Sequence, residues 1–173
     1  MKTLKNNKLK EDILFNNILL LARNKMFYTK FNLTDSFHNR IHLIFIHVSF
    51  LFIKIKKEKG SSIYSEFYQN TFDLMFNRIE LNMREIGFGD VVINKNMKFL
   101  VKTFYNILLK CENYKEMKFD WKNTFFSKYL KYSTNEKAYK YVSLTEYFDK
   151  YQAFCFDLSS DSVLKGNLKF NYK

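Results

Sequence analysis

The apolar positions of this chain recur at steps of three and four almost from end to end, which is the spacing of one helix face and not the alternation of a strand. Residues 11–28 read as a first helix with Ile13, Leu14, Ile18, Leu21 and Met26 on its apolar side. The stretch "NLTDSF" interrupts it with three good N-caps, Thr34, Asp35 and Ser36, and predicts a second helix from there to about Lys57. The middle of that helix, "IHLIFIHVSFLFI" at 41–53, is apolar all round, as in a helix enclosed by others. It falls short of the about 20 apolar residues that a membrane-spanning helix needs. Lys54, Lys56, Lys57 and Lys59 suit its C-terminus, and Gly60 suits the residue just beyond it.

A third helix over about 62–86 has Tyr68, Phe72, Met75, Ile79, Met83 and Ile86 on one side. Glu66, Asn70, Asp73, Asn77, Glu80 and Arg84 run opposite them, and Glu80 and Arg84 stand at the favourable i,i+4 order. A fourth helix, about 93–113, turns Met97, Leu100, Val101, Phe104 and Leu108 inward and Lys95, Lys98 and Lys102 outward. Shorter helices are predicted near 117–132, with Trp121, Phe125 and Tyr129, and near 136–158, with Tyr147, Tyr151, Phe154 and Cys155. The tail 159–173 reads as irregular. With no internal repeat and no Gly/Ser linker, the expected architecture is all-α, a single compact domain of about six helices around a central apolar helix. Residues 1–10 form a basic N-terminal extension to a domain at 11–173, and the interrupted apolar stretch behind them does not read as a signal peptide.

Composition changes this picture in two ways. Apolar residues make up 47% of the 173, which excludes a disordered chain, and the net charge of +12 favours anionic partners. Lysine carries nearly all of that charge, and the only arginines are Arg23, Arg40, Arg78 and Arg84. The heavy use of Phe, Tyr, Ile, Lys and Asn is that of an A+T-rich genome, so a single lysine or phenylalanine carries little message. Lysine faces with interleaved aromatics suit RNA, although arginine, the better fork for phosphates and base edges, is scarce. Cys111 and Cys155 lie in apolar helical patterns and read as core thiols of a reducing compartment.

Candidate chemistry is thin. The chain has four glycines, and "GFGD" at 87–90 holds two of them. Gly87 comes after the last periodic residue of the third helix, where a left-handed residue is wanted. Gly89 allows a second unusual dihedral or a close approach, and Asp90 can cap the next helix. The stretch reads as a corner between helices, since it lacks the spacing of a phosphate loop. His38 and His42 share a face with Asp35 and together offer two imidazoles and a carboxylate to a metal, without an HExxH pattern or a cysteine partner to support it. His47 reads as a core histidine bonded to a buried polar partner. No nucleophile elbow and no converging acid–base pair is visible, so a non-enzyme without cofactor or metal is expected.

Longer stretches resemble a known family. "LLARNKMFYTKFNLTDSFHNRIHLIFIHVSFLFIKIK" (20–56), "FDLMFNRIELNMREIGFGD" (72–90) and the downstream "NKNMKFLVKTFYNIL" are similar to the ubiquinol–cytochrome c chaperone family of alpha-proteobacteria and mitochondria. Ala22, Arg23, Phe27 and Tyr28 fit the start of the family pattern, and Asp35 and Ser36 fit its second part, with Thr34 in place of a proline. Arg40 and Ile41 come next, with Asn39 where a glycine would be, and then His47. Phe72, Asp73, Met75, Phe76, Arg84, Glu85, Gly87, Gly89 and Asp90 fit the densest part, with Met83 for a leucine. Phe104 and Tyr105 fit the last, but Asn106 and Ile107 replace Gly-Arg, and "LKGNLKF" at 164–170 is similar to the closing segment.

The resemblance implies an all-helical assembly factor for complex III. It would act on newly made cytochrome b, together with a small partner protein and near the ribosome, peripheral to the inner membrane on the bacterial cytoplasmic or mitochondrial matrix side, and without DNA. Its candidate contact residues are Phe27, Tyr28, Asp35, Arg40, Arg84, Glu85, Phe88 and Asp90. Of these, Phe27, Tyr28 and Phe88 serve either as core or as exposed contacts, and the charged ones either pair across the 34–40 and 84–90 turns or face a partner. The alternative reading is a basic helical RNA- or ribosome-binding protein.

Overall fold

A computed structural model of the protein describes residues 2–58, 61–133 and 140–172. In chain order its elements are α1 (Lys2–Ala22), α2 (Met26–Thr29), α3 (Phe37–Glu58), α4 (Ser61–Glu85), α5 (Asp90–Glu112), a 3-10 turn (Tyr114–Glu116), α6 (Phe119–Tyr129), α7 (Lys140–Asp157) and α8 (Ser160–Leu164). Lys59 and Gly60, expected to end the second helix, lie outside the described residues, as does the start of the helix expected from 136.

The all-round apolar run makes α3 the centre of the molecule. Leu43, Phe45, Ile46, Val48, Phe50, Leu51, Phe52 and Ile55 have no exposed surface, and α1, α4, α5, α7 and α8 pack around them. Each large ring buried here removes on the order of 150–250 Å² from water, the main source of the fold's stability. Ser36 caps α3, its Oγ accepting from the Asn39 amide at 3.3 Å. His47 sits in the middle, fully buried. Its Nδ1 lies 2.6 Å from the Leu43 carbonyl and must donate there, so Nε2, 2.8 Å away, accepts from the Tyr147 hydroxyl. Burial pushes its pKa down to about 4, which keeps the ring neutral.

Several elements depart from the expectation. α1 starts at Lys2 and not at residue 11, because nothing in the basic stretch breaks a helix. It ends at Ala22; Asn24 then accepts from the Met26 amide at 3.0 Å and the chain resumes as the single turn α2. Lys54, expected on a solvated helix end, is buried, and its Nζ donates to the Phe156 carbonyl at 2.6 Å, in the last turn of α7 where a cation complements the helix dipole. The tail is not wholly irregular: Ser159 caps α8 by accepting from the Ser162 amide. Trp121 is 68% exposed, although Phe125 and Tyr129 on the same helix are buried.

Asn39, a departure from the family pattern, has a structural task. Its Nδ2 donates to the Thr34 and Lys131 carbonyls at 2.7 Å each, and its Oδ1 accepts from the Lys131 amide at 2.9 Å. One buried amide thereby ties the start of α3 to the strand-like bridge between Leu33 and Tyr132.

The 84–90 corner is half as expected. Gly87 has φ +91° and ends α4 as a Schellman motif, Phe88 N–H donating to the Met83 carbonyl and Gly87 N–H to the Arg84 carbonyl, both at 3.0 Å. Gly89 has ordinary extended geometry, φ −73° and ψ 157°, with nothing within 4 Å of a Cβ built there. It is Gly89, and not Asp90, that takes the N-cap position of α5, and no side chain caps that helix. Asp90 occupies the first turn, where a carboxylate faces the helix's positive end.

Candidate functional site

A groove of about 280 Å³ opens where the second half of α1, the first turns of α3 and the last turns of α4 meet. These helices converge because each turns an apolar stripe inward. Phe15, Leu19 and Ala22 from α1, Ile41 and Ile44 from α3 and Ile79 from α4 form its floor. Its rim is charged: Arg23, Arg40 and Arg78, with Glu85. Three of the chain's four arginines thus line one hollow in a protein that otherwise uses lysine for positive charge. Guanidinium presents a fixed fork of donors that a lysine cannot imitate.

Each rim group is held differently. Arg40 donates from Nε and an Nη to both oxygens of Asp35, at 2.7 and 2.8 Å, and lies over the Tyr28 ring at 5.6 Å. That fork holds the Asp35 carboxyl below its usual range and raises the guanidinium pKa. The Tyr28 hydroxyl donates to the Ala22 carbonyl at 3.1 Å, which ties α2 to the end of α1, and its pKa is raised chiefly by burial. Arg78 reaches Asp12 at 3.3 Å. Glu85 accepts from the Asn82 amide at 3.1 Å and stays exposed. The lining offers apolar surface, guanidinium and amide donors and one carboxylate, with no imidazole, thiol or hydroxyl among them. These are means of holding a ligand with an apolar face and charged ends.

The sequence candidates divide. Arg40 and Glu85 line the groove together, joined by Ala22, Arg23 and Ile41 of the same family pattern. Asp35 and Tyr28 stand behind Arg40. Phe27 is core: it is fully buried and its ring packs edge-on against Tyr147 at 4.8 Å. Arg84 and Asp90 pair across the corner at 2.5 Å, and Arg84 also holds Glu80 at 2.8 Å. Phe88 is 41% exposed at that corner. Asp35 with Arg40 and Arg84 with Asp90 therefore pair across the two turns, whereas Glu85 bonds only to Asn82 of its own helix. Arg78, absent from the sequence candidates, stands seven residues before Glu85, two turns along the same face of α4; that spacing is its only sequence signal.

The residues weighed as a metal set are otherwise engaged or unconverged. Asp35 is taken by Arg40. His42 turns its Nδ1 to the Tyr129 carbonyl at 2.6 Å, and burial lowers its pKa. Among the described residues no group of three His, Cys, Asp or Glu side chains is placed to hold an ion. Cys111 and Cys155 are buried free thiols, pushed up in pKa by burial and so unreactive.

An all-helical body with an apolar-floored, arginine-rimmed groove has the architecture of a binding protein. Residues 29–170 match the model of the family described as ubiquinol-cytochrome C chaperone, and the chain belongs to that family. The fold is that of the crystal structure of the Cbp3 homolog from Brucella abortus, with a TM-score of 0.82 at 17% identity, over 99% of this chain and 93% of that one. No curated protein matches the sequence. Among the described residues no helix is long and apolar enough to cross a membrane.

Proposed function

We propose that the protein is a non-enzymatic assembly chaperone for ubiquinol–cytochrome c reductase, and that the groove between α1, α3 and α4 holds a segment of newly made cytochrome b. The observation that carries this reading is the convergence of Arg23, Arg40 and Glu85 on one groove, joined there by Arg78. Membership of the family supports the assembly role. The chemistry supports the client: an apolar floor suits a hydrophobic segment, and three guanidinia suit the carboxylates or C-terminal helix carbonyls at its ends. A groove on rigid helices holds such a segment without covalent chemistry. Release before the complex matures needs only that later subunits compete for the same segment. A small partner protein and the ribosome are further partners, met on the basic surface outside the groove.

Charge reversal tests this. Glu85→Lys and Arg23→Glu alter exposed rim side chains, so both variants are expected to melt within a few degrees of wild type. Pulse-labelled cytochrome b should co-purify with the wild-type chain and be lost from both variants. If Glu85→Lys unfolds the protein, Glu85 is structural. If wild type recovers RNA and never cytochrome b, the RNA-binding alternative replaces this reading.

A further inference from the structure

The three guanidinia of the groove are not equally available. A guanidinium carries five N–H donors. Arg40 spends two of them on Asp35, at 2.7 and 2.8 Å, and that fork fixes its plane. Arg78 gives one Nη to Asp12 at 3.3 Å. Among the described residues, Arg23 is the one of the three that meets no carboxylate within 4 Å. Its backbone, in contrast, is fixed. Arg23 N–H donates to the Leu19 carbonyl at 2.9 Å, Asn24 N–H to the Leu21 carbonyl at 3.1 Å, and the Tyr28 hydroxyl to the Ala22 carbonyl. These carbonyls at the end of α1 are thus satisfied without the guanidinium. A cation there complements the helix dipole, but lysine, the usual cation of this chain, would do so equally well. Arg23 follows Asn16 by seven residues and Leu19 by four, so all three share one face of α1, and all three line the groove.

We infer that Arg23 sets the specificity of the groove: it takes one carboxylate of an apolar segment, while Asp12 and Asp35 keep the other two guanidinia from taking a second. This rests on the client reading above and narrows it to a class of segment, apolar with a single carboxylate at its edge. An unspent fork on a fixed backbone is preorganised for a carboxylate, which it can meet with two parallel bonds. A second carboxylate at Arg78 or Arg40 would be set beside Asp12 or Asp35 and repelled. The charges also cancel locally. Arg23, Arg40 and Arg78 stand against Asp12, Asp35 and Glu85, in a chain whose net charge is +12. A polyanion therefore finds no excess of positive charge here. Asp35 orients Arg40 from behind and does not itself meet the segment.

The full-length protein is titrated calorimetrically with the acetylated, amidated peptide Ser-Leu-Phe-Leu-Leu-Glu-Ser, with its Gln counterpart, and with a version carrying three glutamates. Salt is held at about 150 mM, where long-range attraction is screened. The Glu peptide should bind about tenfold more tightly than the Gln peptide, as a charged hydrogen-bond pair requires. The version with three glutamates should bind no more tightly than the version with one. Arg23→Gln should erase the difference between Glu and Gln and leave the affinity for Gln unchanged, with the same melting temperature. Arg23→Lys keeps the charge without the fork and should restore about threefold of that difference. Arg78→Gln should cost the Glu peptide less than about twofold, since Arg78 is engaged with Asp12. Asp12→Asn should let the version with three glutamates bind about threefold more tightly than the version with one. Equal affinity of wild type for Glu and Gln overturns the role of Arg23 and leaves the groove reading standing. So does an Arg23→Gln variant that weakens both peptides alike, or loss of the difference in Arg78→Gln. Affinity that climbs from one glutamate to three in wild type overturns the part given to Asp12 and Asp35. No binding of any peptide by folded wild type removes the groove reading and this inference together.

Discussion

Gly87 and Gly166 end their helices in the same way. Gly87 has φ +91° and closes α4; Gly166 has φ +77° and closes α8, with Gly166 N–H on the Val163 carbonyl and Asn167 N–H on the Ser162 carbonyl, both at 2.9 Å. Both are Schellman ends, and both need a residue without a Cβ penalty at positive φ. Their surroundings differ. A Cβ added at Gly87 meets nothing within 4 Å, whereas one at Gly166 comes within 2.8 Å of the Leu14 amide nitrogen and the Lys10 carbonyl oxygen of α1. The Gly166 carbonyl also accepts from Asn17 Nδ2 at 2.8 Å. The first glycine answers to its own helix alone. The second answers to a helix about 150 residues earlier in the chain, and it seats the C-terminal tail on α1.

Substitution separates the two most sharply at Gly166. Gly166→Val strains φ and drives a branched side chain into backbone that has no rotamer with which to yield, so a loss of 3 kcal/mol or more, as an order of magnitude, is expected in chemical denaturation. A loss equal to that of Gly87→Val would show that only the local conformation matters and would dissolve the comparison.

Acid applies a load of similar size to the core without touching either corner. The pKa of His47 is about 4 in the folded protein against an ordinary 6.5, so between these values the unfolded chain binds the extra proton. Stability should be flat above about pH 6.5, fall as the pH drops toward 4, and lose up to about 3 kcal/mol from this group. His42 is shifted in the same direction and adds to the fall. Amide exchange measured along this series sharpens the contrast: the Gly166 amide should lose protection in step with the core, and the Gly87 amide should change little.

Gly87→Val should cost about 1–2 kcal/mol, from positive φ alone, and thermal melting is the measurement. An unchanged melting temperature with lost client binding would make the corner a ligand loop. The smallest effect is expected at Asp90→Asn. Its bond to Arg84 is exposed, so the melting temperature should stay the same and should not respond to salt.

Much of the fold was legible because the information is local. Steps of three and four give the helices, the apolar run at 41–53 gives the central one, Ser36 is a cap by residue type, and a glycine after the last periodic position of α4 is a stop. The buried reading of His47 came from its apolar neighbours, although its partner Tyr147, 100 residues away, did not. The groove was half legible. The resemblance named Arg23, Arg40 and Glu85 but gave no reason for them to meet. Composition hid the rest: in a chain this rich in Lys, Phe and Ile, an exposed Trp121 or Phe99 has the same pattern as a buried one.

The sequence by itself determined where the longer helices from α3 to α5 form, which of them is enclosed, and which residue ends α4, since each depends on neighbours within about a turn or two. Tertiary structure alone decided that Lys54 is buried against the end of α7, that Asn39 ties two distant segments, that Arg78 joins Arg23 and Arg40, and that Gly166 admits no side chain. Each of these depends on backbone brought close from far along the chain, and helical periodicity fixes which face of a helix turns inward but not which helix it meets there.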